Sequence, residues 1–290
     1  MNNSIFILSN KEIEIERLHL CSWDILNQNA CFEIGFEFKP NTYSETISFK
    51  IVLPFLSNTD KVVSLSEKLI DPDTNSKFIF NDIIKSSSPV NGDKRYGATI
   101  EFGTRNNLTI LPIRDLSIKN HILSFKVEKI NQENNSYIRI HIQTTKQSLS
   151  VIKKGIAKSS YIYDIKINES RNLPDDVFAI QNDGYEICKN IKACFCFHVV
   201  PSSFNISYLN ANKLKNIRIL EAESFNKYLP VKYKIQNNEY IIVFNKSDNS
   251  KDGSHTFFFR VRKRNHRKQT NYFSRGGKHN LWSFICHFIN

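Results

Sequence analysis

The fold is decided by the stretch FEIGFEFK, residues 32–39, in which apolar and polar side chains alternate strictly. Successive side chains of a β-strand point to opposite faces. The phenylalanines and the isoleucine therefore predict one inward face, while Glu33, Glu37 and Lys39 predict a solvated one. This is the pattern of a half-buried antiparallel strand.

The same alternation recurs along the chain and predicts further strands. They fall at residues 47–53, 96–102, 123–127, 138–142, 161–167, 191–199, 231–235 and 257–261, with a fully buried strand at 240–244. In the first long strand the apolar side chains change parity after Ile15, which predicts a β-bulge near Glu16 and Arg17. One helix is expected over residues 58–70, and loops at 86–92 and 174–184.

Many short strands with a single helix indicate an all-β protein built from β-sandwiches. A chain of 290 residues is long enough for two cores. The alternation breaks in the polar stretch Thr144–Ser160, where we place the boundary. The predicted organisation is a sandwich domain over 1–145, a second β domain over 158–262, and a basic tail over 263–290.

Charge is concentrated at the C-terminal end. The chain has a formal net charge of +12, and the 38 residues after Asp252 carry eight Lys or Arg and no Asp or Glu. Positive charge gathered in one segment produces a local field that attracts polyanions. Arg260, Arg262 and Arg264 alternate, so they are expected to project from one face of a strand and to present guanidinium groups to phosphates.

Nucleic acid is the expected partner, because aromatic side chains that can stack on bases accompany the cations. The predicted nucleic-acid-binding residues are Arg260, Arg262, Lys263, Arg264, Arg267, Lys268, Tyr272, Phe273 and Trp282. The alternative is a solvated basic terminus. A short amphipathic segment at 281–289 offers a third possibility, contact with a protein partner or a peripheral membrane surface.

Two further groups of residues suggest zinc binding and nuclease activity. Cys194, Cys196 and His198 alternate on one strand, with Cys188 near them in sequence, and such residues hold zinc in many proteins. The span from Cys194 to His198 is about 13 Å, too long for one ion to be held by all three. A strand with small thiols on its second face is the simpler interpretation, so no metal is predicted.

The second constellation has the spacing of metal-dependent nucleases, with carboxylates at Asp24 and Glu37 and a cation at Lys39. This signature is short and also fits an ordinary solvated strand face. A non-enzymatic binding protein is therefore the favoured function, and a nuclease is the alternative.

No cofactor is predicted, because phosphate-cradling glycine loops and the His-Glu-x-x-His motif are both absent from the sequence. The N-terminal residues do not read as a secretory signal, and no apolar run approaches the roughly 20 residues of a spanning helix. A cytoplasmic protein with its six cysteines as thiols is expected.

Overall fold

Two mixed β-sheets packed face to face make up the fold, which confirms the predicted all-β class. The computed structural model describes residues 4–25, 28–42, 44–70, 79–80, 82–128, 130, 133–229, 235–248 and 253–264. The predicted strand at 231–235 lies outside the described residues except for Ile235, as does the C-terminal segment from residue 265.

The nine-stranded sheet contains β1 (Ser4–Ser9), β4 (Thr46–Val52), β9 (Arg114–Lys119), β10 (Ile122–Glu128), β12 (Val151–Lys154), β13 (Lys158–Ile167), β14 (Glu186–Ile187), β16 (Asn205–Leu209) and β19 (His255–Arg264). The ten-stranded sheet contains β2 (Ile13–Trp23), β3 (Cys31–Pro40), β5 (Lys61–Ser64), β6 (Ile84–Pro89), β7 (Ala98–Phe102), β8 (Leu108–Ile110), β11 (Asn135–Gln143), β15 (Ala193–Pro201), β17 (Leu214–Ile219) and β18 (Tyr240–Asp248). The helices are α1 (Ser66–Leu69), α2 (Asp175–Asn182) and α3 (Ala222–Tyr228), with 3-10 turns at Val90–Gly92, Lys94–Tyr96 and Ser170–Asn172.

Both sheets draw strands from the two predicted domain ranges. The nine-stranded sheet runs β16-β19-β13-β1-β4-β10-β9, and the ten-stranded sheet runs β17-β18-β15-β2-β3-β11-β8-β7-β6. In each sheet a parallel pair joins the strands of the later range to those of the earlier range, β13 with β1 and β15 with β2, and the short strand β14 also pairs antiparallel with β1. The domain boundary near residues 146–157 stays a prediction. Each sheet contains strands from both sides of this boundary.

The main core lies between the sheets and is built by the alternating positions. The inward side chains of β3, β4, β10 and β11 are almost fully buried there; they include Phe32, Ile34, Phe36, Phe38, Ile47, Phe49, Ile51, Leu123, Phe125, Ile138 and Ile140. Phe49 meets Phe36 and Phe38 edge to face across the two sheets, with ring centroids 5.2 and 5.3 Å apart. Burial of these aromatic rings supplies a large part of the hydrophobic stabilisation.

The predicted β-bulge is confirmed. Between β2 and β3, Ile15 lies opposite Phe38 and Arg17 lies opposite Glu37, so the register shifts across Glu16. One extra residue on β2 reverses the parity of the strand. The apolar side chains on both sides of the bulge therefore enter the same core.

The helix predicted over 58–70 is wrong in most of its length. Residues 61–64 form strand β5, which pairs antiparallel with β11, and only Ser66–Leu69 are helical. Val62 and Val63 favour a pleated strand, and the ladder with β11 satisfies their backbone groups.

Three loop or linker predictions are also corrected. Residues 86–89 belong to β6, a polar edge strand that ends at Pro89, as edge strands commonly do. The stretch 174–184 contains α2, which begins after Pro174 and carries Asp175 and Asp176 in its first turn. The polar stretch 144–160 contains β12, which forms a hairpin with β13.

Helices cover parts of the outer sheet faces. Helix α2 packs Val177 and Ile180 on Phe6 and Leu8 of the nine-stranded sheet. Helix α3 packs on the ten-stranded sheet, where the Phe225 ring lies 5.2 Å from that of Trp23. Over the far end of the nine-stranded sheet, at β12, β13, β19 and β16, no helix of the described chain packs.

Within the described ranges, no helix combines the length and apolarity that crossing a membrane would need.

Candidate functional site

The uncovered end of the nine-stranded sheet carries a row of cations on its outer face. Ser160 of β13 lies opposite Lys153 on one side and Arg262 on the other. Cross-strand partners point to the same face of a sheet. Lys158 and Arg260 have the same parity on β13 and β19, so they project from that face as well. The outer surface formed by Lys153, Lys158, Arg260 and Arg262 is called the basic face below.

The cations of the basic face are free of carboxylate partners within the part of the chain that the structure describes. Lys153, Lys158 and Arg262 are exposed. Arg260 is half-buried and its Nε donates to Ser207 Oγ at 3.1 Å. The charges are therefore held in place by strand register, and most of their donors face solvent.

Two exposed aromatic side chains border the basic face. Tyr208 is 48% exposed and Phe258 40% exposed, and their rings meet edge to face with centroids 5.3 Å apart. Tyr208 lies opposite Arg260 in the β16–β19 ladder. Cations interleaved with exposed rings are the composition of a surface that contacts both phosphates and unpaired bases.

The predicted binding residues divide into three sets. Arg260 and Arg262 share the basic face, as their spacing predicts. Lys263 projects to the other side of the sheet, where its Nζ lies 5.8 Å from the centroid of the Phe204 ring, at a cavity of about 210 Å³ that Asp24 also lines. The side chain of Arg264 and the whole of Arg267, Lys268, Tyr272, Phe273 and Trp282 lie outside the described residues, as does the segment 281–289.

Sequence reasoning missed Lys153 and Lys158 as members of the site, because their stretch was interpreted as a domain boundary. A local signal for a hairpin was present. The β-branched pair Val151-Ile152 precedes Gly155, whose N–H bonds the carbonyl of Lys158 at 3.0 Å to close the turn. A β-branched pair before a turn glycine favours a strand over a linker.

The candidate zinc ligands are not arranged around a common point. Cys194, Cys196 and His198 face the buried side of β15, and His198 Nδ1 lies 2.7 Å from Ser22 Oγ. Burial raises the pKa of the Cys188 thiol to about 12 and lowers the pKa of His198 to about 3. Among the described residues, no group of three or more His, Cys, Asp or Glu side chains could hold a metal ion. The thiols that were expected on the second face of the strand pack in the inter-sheet core instead.

The structure does not bring the candidate nuclease residues together either. Glu37 lies opposite Arg17 of β2, and Asp24 directly follows the end of β2, seven residues after Arg17, which corresponds to about 23 Å of extended chain. Asp24 accepts hydrogen bonds from Ser148 Oγ and the Tyr163 hydroxyl, and burial raises its pKa. The two carboxylates therefore cannot share a metal ion.

The solvated face predicted for β3 is wrong at two of its three positions. Glu33 and Glu37 are buried, and Lys39 is exposed. Alternation separates two faces of a strand but does not say whether other elements cover the second one. Here α3 covers Glu33, while Arg17 of β2 and Arg105, which lies between β7 and β8, cover Glu37.

Glu33 is the centre of a buried charge cluster beneath α3. Its Oε2 lies 2.6 Å from Arg139 Nη2 and accepts from the Tyr228 hydroxyl at 2.8 Å, and its Oε1 lies 3.0 Å from His141 Nδ1. Burial alone would raise the pKa of Glu33. The charge of Arg139 and the hydrogen bonds from His141 and Arg139 outweigh burial and hold the pKa at about 2. The carboxylate is thus ionised and fully partnered, as a structural ion pair requires.

No family model matches the chain, and no curated protein matches it. Among solved structures it is similar to an M1 zinc metallopeptidase from Deinococcus radiodurans, with 8% sequence identity and a TM-score of 0.34. The similarity covers 88% of this chain and 43% of that chain, so this chain spans less than half the length of the peptidase. A likeness at this level carries no argument about function.

Proposed function

We propose that the protein is a non-enzymatic nucleic-acid-binding module that uses the basic face as its phosphate-contacting surface. One observation carries the proposal: Lys153 and Lys158 lie on the same outer sheet face as Arg260 and Arg262, although about 100 residues separate the two pairs in sequence. Cations that converge from distant stretches and lack carboxylate partners in the described chain form a local positive field.

Nucleic acid is favoured over other polyanions by the kinds of side chain present. Arginine guanidinium groups match phosphate oxygens in a forked geometry. The exposed rings of Tyr208 and Phe258 give unpaired bases a surface for stacking. The sequence adds four more cations after Arg264, at Arg267, Lys268, Arg275 and Lys278.

The proposal is tested by equilibrium binding of a short labelled DNA strand and of its duplex. Replacing Lys153, Lys158, Arg260 and Arg262 together with Gln should weaken binding of both by about tenfold or more at about 50 mM salt. The loss should be similar for every DNA sequence, because phosphate contacts carry no base information.

A matched control separates a local surface from overall charge. A variant with Gln at the exposed residues Lys61, Lys85, Lys94 and Lys119 loses the same charge away from the basic face. It should bind nearly as tightly as the wild type. If the two variants lose affinity equally, net charge drives binding and the proposal fails. Anionic vesicles provide a further arm, and preference for them over DNA would favour a membrane role instead.

A further inference from the structure

A second site lies on the outer face of the ten-stranded sheet, away from the basic face. A cavity of about 430 Å³ opens between β2, β15, β17 and β18 and is bordered by the segment at Ile79 and Phe80. Its size falls within the range of pockets for small ligands, about 300–1,000 Å³.

The floor of the cavity is aromatic. Phe197 lies opposite Phe244 in the β15–β18 ladder, and their rings stack with centroids 4.6 Å apart and an interplanar angle of 8°. Phe195 stacks against Phe244 at 5.9 Å. All three rings are half-buried and line the cavity. Because the rings stack on one another, they present their edges and the outer faces of the end rings to the cavity, where a planar ligand ring can pack edge to face or extend the stack.

The walls are cationic. Arg17, Arg105, Lys215 and Arg218 line the cavity, and the described lining contains no Asp or Glu. Glu37, which does not line the cavity, contacts Arg17 and Arg105. Glu221 lies 3.3 Å from Arg218. Lys215 has no carboxylate within salt-bridge distance in the described chain, so the lining retains an excess of positive charge.

Arg105 has unused donors. Its Nη2 contacts Glu37, but its Nε and Nη1 are buried without a hydrogen-bond partner in the described part of the chain. Its guanidinium carbon lies 4.9 Å from the centroid of the Phe102 ring and 5.4 Å from that of Phe80. Buried donors without partners are rare and costly, so a bound anion that accepts from Arg105 would be stabilising.

His19 adds a polar group without adding charge. Burial, together with the nearby Arg139, Arg17 and Arg105, holds the pKa of His19 well below its usual value, so the ring is neutral. Its Nδ1 lies 3.1 Å from the Tyr137 hydroxyl. The positive charge of the cavity therefore comes from Arg and Lys side chains and persists across neutral pH.

We propose that this cavity binds a nucleoside 5′-monophosphate, with the base packed against the stack of Phe195, Phe197 and Phe244 and the phosphate held by Arg105, Lys215 and Arg218. An aromatic floor beside several cations is complementary to a ligand that combines a planar ring with a phosphate. The site is independent of the basic face, because the two lie on outer faces of different sheets.

Titration calorimetry of the full chain with adenosine 5′-monophosphate tests the proposal. We expect one ligand per chain, and binding of adenosine or inorganic phosphate alone at least about tenfold weaker, since each supplies only part of the contacts. A double variant with Lys215→Gln and Arg218→Gln should bind the nucleotide at least about tenfold more weakly than the wild type does. Both side chains are exposed, so the fold should be unaffected. Phe244→Leu should weaken nucleotide binding and leave phosphate binding unchanged.

The control is Lys61→Gln, Lys119→Gln, which removes the same charge from exposed positions outside both the cavity and the basic face and should bind the nucleotide as the wild type does. The proposal is overturned if the wild type does not bind the nucleotide at millimolar concentration, or if inorganic phosphate binds as tightly as the nucleotide. It is also overturned if the control loses as much affinity as the Lys215, Arg218 variant, or if that variant loses none.

Discussion

The basic face and the Glu33 cluster are both charged regions on outer sheet faces, and they are built in opposite ways. In the cluster, every charge is buried and contacts a group of opposite charge or a hydrogen-bond donor. On the basic face, Lys153, Lys158 and Arg262 are exposed and have no carboxylate partner in the described ranges. One region satisfies its charges internally, and the other leaves them directed to solvent.

The difference separates the structural role of the Glu33 cluster from the binding role that we propose for the basic face. A buried ion pair is maintained because removing one partner leaves a charge without solvation or counter-charge. Exposed cations contribute little to stability, and several close together repel one another. The fold therefore gains little from their arrangement on one face, and we propose that an external anion is its purpose.

The largest expected effect is on the cluster. Glu33→Gln leaves Arg139 buried without its counter-charge and should lower the free energy of unfolding by about 3–5 kcal/mol. Urea unfolding measures this loss. The matched control, Glu12→Gln, changes an exposed carboxylate and should stay within about 0.5 kcal/mol of the wild type. A Glu33→Gln variant as stable as the control would remove the contrast between the two regions.

The pH dependence of stability should show the next effect. His198 has its pKa lowered to about 3 and Glu33 to about 2, so the native state holds fewer protons than the unfolded state in acid. Stability should therefore fall as pH drops below about 6.5, where histidine protonates in the unfolded chain. It should fall more steeply below the usual glutamate pKa of 4.5. Urea midpoints measured from neutral pH downward test this trend.

A His198→Gln variant sharpens the pH prediction. It should flatten the first part of the decline, between the ordinary histidine pKa and that of glutamate, and leave the steeper acid limb in place. His19, whose pKa is also lowered by burial, should account for what remains of the first part. Stability that is constant down to the glutamate range would contradict the assignment of neutral buried histidines.

Local patterning predicted the long core strands and the bulge, because period-two alternation and a parity change are readable within ten residues, but it missed shorter strands such as β5, β6 and β12. Burial of Glu33 was not predictable in this way, since its partners Arg139 and Tyr228 lie about 100 and 200 residues away and the alternation shows only that two faces differ. Whether a face is covered depends on which distant element packs on it.

Prediction of the candidate site from local sequence patterns is limited in the same way. The alternation of Arg260 and Arg262 placed them on one face correctly, because that relation is internal to one strand. Their proximity to Lys153 and Lys158 depends on the β12–β13–β19 ladder, whose register no local pattern specifies. The stretch with Lys153 was consequently interpreted as a linker, and its charges were not added to the site.

The smallest expected effect on stability is that of the basic face itself. Replacing Lys153, Lys158, Arg260 and Arg262 with Gln should change the free energy of unfolding by no more than about 0.5 kcal/mol for each exposed position. The same urea unfolding experiment measures this. A large loss would show that these cations stabilise the fold, and the binding role would lose its support.

The most direct test of the account is the salt dependence of duplex DNA binding. Each neutralised phosphate contributes about 0.9 to the slope of log K against log salt. The four-fold Gln variant of the basic face should therefore have a slope shallower than that of the wild type by between about 3 and 4. The Lys61, Lys85, Lys94, Lys119 control should keep the wild-type slope. A four-fold basic-face variant with the slope of the wild type would contradict the assignment of this face as the nucleic-acid-binding surface.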